Sequence, residues 1–331
     1  MADISKYMEV DIDNLAKILG VSKDNLTNVL AGGGDIPAGG AGDRGVFGGL
    51  SGSSGNVMEY ITISTIGDAQ DFGDLTIGRA GLAACSNGSN DRGVFGGSNS
   101  APTNVMDYIT ISTIGDAANF GDLTVGRFYF QATSNGTSDR GVFGGGQGST
   151  STMDYITVSS IGDALDFGDL IQGRSYIGAC SNATNDRGVF AGGISGPPVN
   201  TMDYITISSI GNAQDFGDLT LERYGLRGTS NGTNNRGVFA GFRDPVDNTI
   251  QYITITSLGN SIDFGDLTFA RSYLASASNA TGERGLWAGG TPAGGNNIID
   301  YVTISTTGDA QDFGDLTPPA SNIHIAGLSN A

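Results

Sequence analysis

Apolar and polar residues alternate in a seven-residue segment that occurs six times along the chain, as MDYITIS at 106–112 and in five near copies. In this copy Ile109 and Ile111 alternate with Thr110 and Ser112. A period of two places the apolar residues on one face of a β-strand and the polar residues on the other. The segment therefore predicts a half-buried strand in each of six repeats, and we call it strand c.

Three more short segments in each repeat have the character of strands. Strand b is RGVFGG or a near copy, repeated every 47–49 residues, and it begins at Arg44, Arg92, Arg140, Arg187, Arg236 and Arg284. Strand d has the form DFGDLT, and its aromatic residues are Phe72, Phe120, Phe167, Phe216, Phe264 and Phe313. Strand a is a segment of small residues ending in Ser-Asn, such as GLAACSN at 81–87, and Asn-Gly turns typical of hairpins follow it. Four antiparallel strands in a repeat of this length predict one blade of a β-propeller.

The repeat resembles the kelch repeat in three features. These are the Gly-Gly that ends strand b, the aromatic residue in strand c and the large apolar residue in strand d. Kelch repeats usually have Trp in the last strand, where this chain has Phe. The resemblance covers residues 43–331 and implies the propeller fold, but it implies little about function because propellers carry many unrelated activities.

The two ends of the repeat region predict how the propeller closes. The first repeat begins at strand b, and the last continues past strand d into IHIAGLSNA at 323–331, which has the form of an extra strand a. We therefore expect an all-β fold, a six-bladed kelch-like β-propeller closed by pairing of the N- and C-terminal strands. Such pairing leaves no bare sheet edge at the seam.

The two cysteines, Cys85 and Cys180, occupy equivalent strand-a positions two blades apart. A disulfide requires Cα atoms within about 7 Å of each other, which blades that are not neighbours do not provide. We expect two free, buried thiols that act as small apolar side chains.

Residues 1–33 differ in composition from the repeats and predict two short helices, followed by a Gly-rich linker over 34–42. Helices this short need another surface to cover their apolar faces, so we expect an anchor to other proteins or to copies of the same chain. The anchor residues are Leu15, Ile18, Leu19, Leu26, Val29 and Leu30. A DNA-binding helix-turn-helix is the alternative, and three lysines against five acids in this segment argue against it.

The connections of the predicted blades fall into a uniform set and a variable set. The a–b and c–d turns are near copies of one another, whereas the b–c loops and the d–a connections diverge and lie on the opposite face. Variable loops on a rigid frame are where recognition is commonly located, and aromatic and arginine side chains dominate binding hot spots. The candidate ligand-binding residues on this variable face are Phe128, Tyr129, Tyr176, Tyr224, Arg227, Phe242, Arg243 and Tyr273.

Charge and hydropathy exclude several classes of partner. The net charge of −18 argues against nucleic acid, because neutralising phosphates requires clustered Lys and Arg. No apolar run of 18 residues occurs, so we expect no membrane insertion. The first 20 residues lack the basic and apolar regions of a secretory signal peptide.

The residues favour a protein that is not an enzyme. The Asp-Phe-Gly of strand d matches the magnesium-binding signature of protein kinases, but it occurs in most repeats without a kinase phosphate loop or catalytic loop. A copper or zinc site needs several histidines, and the only one, His324, is expected in an inner strand with a structural role. We predict no cofactor and no metal site. A propeller hydrolase or lyase that uses Asp244, Asp247 and Glu222 on polysaccharide is the alternative.

The repeated text DYITISTIGDAQDFGDLT is similar to kelch-like proteins of phages, particularly marine phages, which are regarded as virion, fibre or tail-associated components. This resemblance implies a structural virion protein for decoration or host attachment, assembled in the host cytoplasm. Its expected partners are other virion proteins, through the N-terminal segment, and a glycan or protein of the host surface. An intracellular adaptor of the ordinary kelch type is a further alternative.

Overall fold

The structure is a computed structural model that covers most of the predicted repeat region. The residues that it describes are 43–50, 55–87, 91–101, 103–135, 139–181, 186–230, 235–279, 283–292, 297–317 and 324–329. The predicted N-terminal helices and the linker lie outside these described residues, so the anchor stays a prediction.

The described residues form 24 strands in six four-stranded antiparallel sheets, each with the order a-b-c-d. Strand b of blades 1 to 6 is β1 (Arg44–Leu50), β5 (Arg92–Gly96), β9 (Arg140–Gly144), β13 (Arg187–Ala191), β17 (Arg236–Ala240) and β21 (Arg284–Ala288). Strand c is β2 (Val57–Thr62), β6 (Val105–Thr110), β10 (Thr152–Thr157), β14 (Thr201–Thr206), β18 (Thr249–Thr254) and β22 (Ile298–Thr303). Strand d is β3 (Gln70–Asp74), β7 (Ala118–Asp122), β11 (Leu165–Asp169), β15 (Gln214–Asp218), β19 (Ile262–Asp266) and β23 (Gln311–Asp315). Strand a is β24 (Ala326–Ser329), β4 (Ala83–Asn87), β8 (Gln131–Asn135), β12 (Gly178–Ser181), β16 (Arg227–Ser230) and β20 (Ala275–Ser278).

Blade 1 contains strands from both ends of the repeat region. The last strand, β24, pairs antiparallel with β1, so that Leu328 lies opposite Val46 and Gly327 lies opposite Phe47. The predicted six-bladed propeller and its closure are therefore confirmed.

The hydrophobic core lies between neighbouring blades. Phe72 of blade 1, for example, packs in one cluster with Phe95, Ile109 and Ile111 of blade 2. The equivalent strand-d phenylalanines of all six blades are at most 2% exposed, which confirms that the Phe of the DFG segment is a core residue. Cys85 and Cys180 are free and buried as predicted, and burial raises the pKa of Cys85 to about 12.

Each strand-b arginine joins its own blade to the next. The Cζ atom of Arg92 lies 4.6 Å from the ring centroid of Tyr108 in the same blade, and Nη1 donates to the Val158 carbonyl of blade 3 at 3.2 Å. The same two contacts occur in all six blades, with Cζ-to-centroid distances of 4.3–4.7 Å. The sixth bond, from Arg284 to the Ile63 carbonyl, completes the circle at 2.8 Å.

The outer strand d is bonded to the c–d turn of the following blade. At the seam, the Gly67 amide donates to the Phe313 carbonyl at 3.0 Å, and the Asp315 amide donates to Oδ1 of Asp68 at 3.1 Å. Equivalent bonds occur in the other five blades, so the backbone edge of strand d is not left bare. The glycine of strand d permits this approach, because a Cβ on Gly314 would lie 2.5 Å from the Gly67 carbonyl oxygen.

We expect Gly314→Ala to lower the free energy of unfolding by roughly 1–3 kcal/mol, the usual cost of overpacking. The new methyl would clash with backbone, and φ of Gly314 is +145°, which disfavours a side chain. The matched control is Gly67→Ala on the other side of the same contact, where a Cβ would meet nothing within 4 Å. Urea denaturation should give a lower midpoint for Gly314→Ala alone, and equal losses would contradict the steric explanation.

A candidate ligand-binding site on the propeller axis

Six equivalent residues, one from each blade, form a ring of backbone hydrogen bonds around the propeller axis. They precede strand a and all have φ between 57° and 77°; in blade order they are His324, Gly81, Tyr129, Tyr176, Gly225 and Tyr273. The N–H group of each donates to the carbonyl of its counterpart in the preceding blade, with N···O distances of 2.7–3.3 Å. The six bonds form a closed ring, so all six blades are linked by backbone hydrogen bonds at the centre of this face.

Four of the ring residues carry large side chains in a conformation that favours glycine. A left-handed backbone costs a non-glycine residue roughly 1–2 kcal/mol. Gly81 and Gly225 make the same backbone bonds, so the ring itself requires no side chain at these positions. Retained strain of this kind is characteristic of functional sites.

The side chains of the ring converge across the axis. The Tyr129 and Tyr176 rings stack with centroids 4.2 Å apart at an interplanar angle of 23°. The ring centroid of His324 lies 4.5 Å from that of Tyr129 and 4.2 Å from that of Tyr273. The ring centroids of Tyr176 and Tyr273 are 5.5 Å apart. Residues from blades 1, 3, 4 and 6 therefore form one aromatic surface at the end of the axis.

Blade 5 contributes its aromatic side chain from the neighbouring position. Its ring residue is Gly225, and the preceding Tyr224 lies 5.9 Å from Tyr176 and 6.4 Å from Tyr273. Tyr129, Tyr176 and Tyr224 are partly exposed, and burial raises the pKa values of Tyr176 and Tyr273. We call Tyr129, Tyr176, Tyr224, Tyr273 and His324 the axial aromatic cluster.

Two arginines adjoin this cluster. Arg227 is 4% exposed, and its Nη1 donates to the carbonyls of Leu226 at 3.1 Å and Ile177 at 3.5 Å. Burial lowers its pKa to about 10. Arg243 is partly exposed, and its Cζ lies 5.1 Å from the Tyr273 ring centroid. The site thus combines aromatic rings with two positive charges.

His324 is held neutral in this environment. Burial, together with the smaller effect of the positive charges of Arg227 and Arg243, lowers its pKa to about 3. Its buried Nδ1 has no hydrogen-bond partner among the described residues. An unpaired polar atom in a buried site is costly, so its retention needs an explanation outside the packing of the fold.

Buried ion pairs fix the d–a connections that carry the cluster. Two residues before Tyr129, Nη2 of Arg127 lies 2.8 Å from Oδ2 of Asp154 in strand c. Two residues before Tyr273, Nη2 of Arg271 lies 2.8 Å from Oδ2 of Asp300. Blades 2 and 4 contain the same pair. In blade 5 the partner is instead Asp247 of the b–c loop, at 2.8 Å and partly exposed.

The structure brings together most, but not all, of the residues predicted for this face. Phe128 lies 4.7 Å from Tyr129 and extends the aromatic surface. Phe242 was expected to be available to a ligand, but it is fully buried in the hydrophobic core between blades 4 and 5. Of the acids predicted for glycosidase chemistry, Asp247 forms an ion pair with Arg223. The other two, Glu222 and Asp244, are exposed.

His324 is the cluster member that the sequence analysis missed. We expected it within an inner strand, but it lies two residues before β24, at the ring position of blade 1. The signal was present in the sequence: aligning IHIAGLSN at 323–330 with SYIGACSN at 175–182 places His324 opposite Tyr176.

Comparisons with known proteins add no assignment. No protein-family model matches the chain, and no curated protein matches it significantly. Within the described ranges, no three or more His, Cys, Asp or Glu residues are grouped as metal ligands, and no helix has the length and hydropathy of a membrane span.

We expect Asp300→Asn to destabilise the protein by about 3–5 kcal/mol, because it leaves the Arg271 charge buried without its acid. Asp247→Asn is the matched variant at the partly exposed pair of blade 5, where the loss should be about 1 kcal/mol or less. Urea denaturation of both variants measures the difference. Similar losses would show that burial does not set the strength of these pairs.

We expect the imidazole of His324, the only histidine, to titrate near pH 3 in proton NMR spectra. Arg243→Gln should raise this pKa, because it removes a neighbouring positive charge. The ordinary pKa is 6.5, so between about pH 3 and 6.5 the unfolded chain binds a proton that the folded protein does not. Stability from this group is therefore lost as the pH falls through that window. An unchanged pKa of His324 in Arg243→Gln would show that the Arg243 guanidinium lies too far from the imidazole to affect its protonation.

Proposed function

We propose that this protein is a non-enzymatic binding protein of phage virions, with a kelch-like propeller that presents the axial aromatic cluster to a glycan of the host surface. One observation supports the binding site above all: tyrosines occupy three ring positions, although glycine makes the same backbone bonds in blades 2 and 5. The backbone is strained at these positions, and the side chains of Tyr129 and Tyr176 are partly exposed, so the fold gains little from these two rings.

The shape and chemistry of the cluster suit recognition. Binding sites combine apolar and aromatic surface with a few polar groups that fix the orientation of the ligand. Here the rings of Tyr176 and Tyr224 offer flat apolar surface, their hydroxyl groups offer hydrogen bonds, and Arg243 offers a charge. Aromatic rings of this kind stack on the apolar faces of sugar rings.

The same groups are poorly suited to acid–base catalysis. A catalytic acid or base works best with a pKa near the operating pH. The pKa of His324 is about 3, and burial moves those of Tyr176 and Tyr273 upward, away from neutrality. The five residues of the cluster include no carboxylate. This chemistry supports binding without turnover.

The virion assignment is supported by the repeats. Their resemblance to kelch-like phage proteins suggests a decoration, fibre or host-attachment component. We propose that the N-terminal segment attaches the propeller to other virion proteins or to copies of itself. Detection of the protein in purified particles, by mass spectrometry and by antibody labelling in electron micrographs, tests this part separately.

Tyr129→Gly and Tyr176→Gly test the binding site with little risk to the fold, because both side chains are partly exposed and glycine occupies the equivalent position in blades 2 and 5. We expect stability to stay within about 1 kcal/mol of the parent, since relieved backbone strain offsets the lost ring contacts. Affinity for oligosaccharides on an array that carries both neutral and acidic sugars should fall at least tenfold, the effect of losing a hot-spot aromatic residue.

The control is Phe269→Ala, in the same connection as Tyr273 but outside the cluster and 40% exposed. It should bind like the parent protein. Failure to bind any oligosaccharide, or undiminished binding by both glycine variants, would refute the site. New reducing ends that disappear in Asp247→Asn would instead indicate a polysaccharide-cleaving enzyme.

A further inference from the structure

Arg227 and Arg243 differ from the arginines of the d–a connections, because neither has a carboxylate partner in the part of the chain that the structure describes. Each d–a connection that the structure describes with an arginine pairs it with an aspartate. Neither Arg227 nor Arg243 forms such a pair within the described residues. The loop residues left undescribed between 51 and 323 include no Asp or Glu that could supply one.

This unpaired charge contrasts with the composition of the propeller. From residue 34 onward the chain has 13 Arg and 29 Asp plus Glu, so acids that could pair with Arg227 and Arg243 are abundant. Taking a charge out of water without pairing it costs several kcal/mol. The fold does not require the arginine of strand a, since the first strand-a residues of the other blades are Ala83, Gln131, Gly178, Ala275 and Ala326.

The two charges lie at the aromatic rings. Arg227 donates to the carbonyl of Ile177, the residue after Tyr176, and it has no partner for its buried Nε among the described residues. The Arg243 backbone amide donates to the Tyr224 carbonyl at 2.8 Å, and its guanidinium lies over Tyr273. Both are close enough to His324 to disfavour its protonation.

We propose, on the basis of the binding function proposed above, that the axial site takes an anionic saccharide, a sugar that bears a carboxylate or a sulfate. The guanidinium of Arg243 binds the anionic group directly, and Arg227 adds a buried positive charge beside it. A tyrosine ring stacks on the sugar. Arginine suits this role because its planar fork matches carboxylate and sulfate oxygens.

The test compares pairs of ligands that differ in charge and little else. The probes are a galacturonate oligosaccharide with its methyl ester, and a sulfated carrageenan oligosaccharide with its desulfated form. Calorimetry at low salt should show that, in one of the two pairs, the anionic member binds at least tenfold more tightly than the neutral member. The pair that shows this difference tells whether the site prefers a carboxylate or a sulfate. Arg243→Gln should remove this preference, whereas Arg243→Lys, which keeps the charge, should retain part of it.

His324 reports where the anion binds, without any substitution. A bound anion beside the imidazole should raise its pKa in NMR titrations, because it offsets the neighbouring positive charges. The neutral member of the same pair should shift it much less.

The outcomes separate the two proposals. Equal affinity for the anionic and neutral sugars, lowered by Tyr176→Gly, would overturn the anion preference and leave the binding function intact. Binding of none of the four probes would overturn the anion preference, whereas the binding function itself is decided by the oligosaccharide array. Anion binding that Arg243→Gln does not weaken, with no shift of His324, would place the anion elsewhere and overturn the inference.

Discussion

The contact of each blade with the next is the interaction on which the rest of this structure depends. Each hydrophobic cluster of the described residues joins two neighbouring blades, as where Phe72 of one blade packs with Phe95 and Ile109 of the following one. The strand-b arginines and the c–d turns add polar bonds in the same direction around the circle. Because each blade needs a neighbour on both sides, the pairing of β24 with β1 stabilises every interface.

Closure also creates the candidate site. The six left-handed residues at the axis can bond in a ring only when the sixth blade meets the first, through the Tyr273 carbonyl and the His324 amide. The scaffold needs only the backbone at this point, and glycine supplies it twice. The remaining positions are therefore free to carry side chains for recognition, with the strain offset by the rigidity of the frame.

Electrostatics distinguish the axial site from the rest of the propeller. The described arginines of the d–a connections are paired with aspartates, as Arg271 is with Asp300. Arg227 and Arg243 have no such partner among the described residues, and both lower the pKa of His324. A protein with a net charge of −18 thus holds a local positive region at the centre of its variable face. Such a region favours an anionic ligand over a neutral one.

The sequence alone determined the number of blades, the order of their strands and the closure, because the repeats report the period of the backbone directly. It also predicted the buried thiols and named Tyr129, Tyr176, Tyr224 and Tyr273. It could not separate Phe242, which is buried, from its neighbours, since exposure depends on how blades 4 and 5 pack. Only the tertiary structure showed that the ring of His324 meets those of the tyrosines and that Arg227 has no acid partner among the described residues, because both follow from bringing distant blades to a common axis.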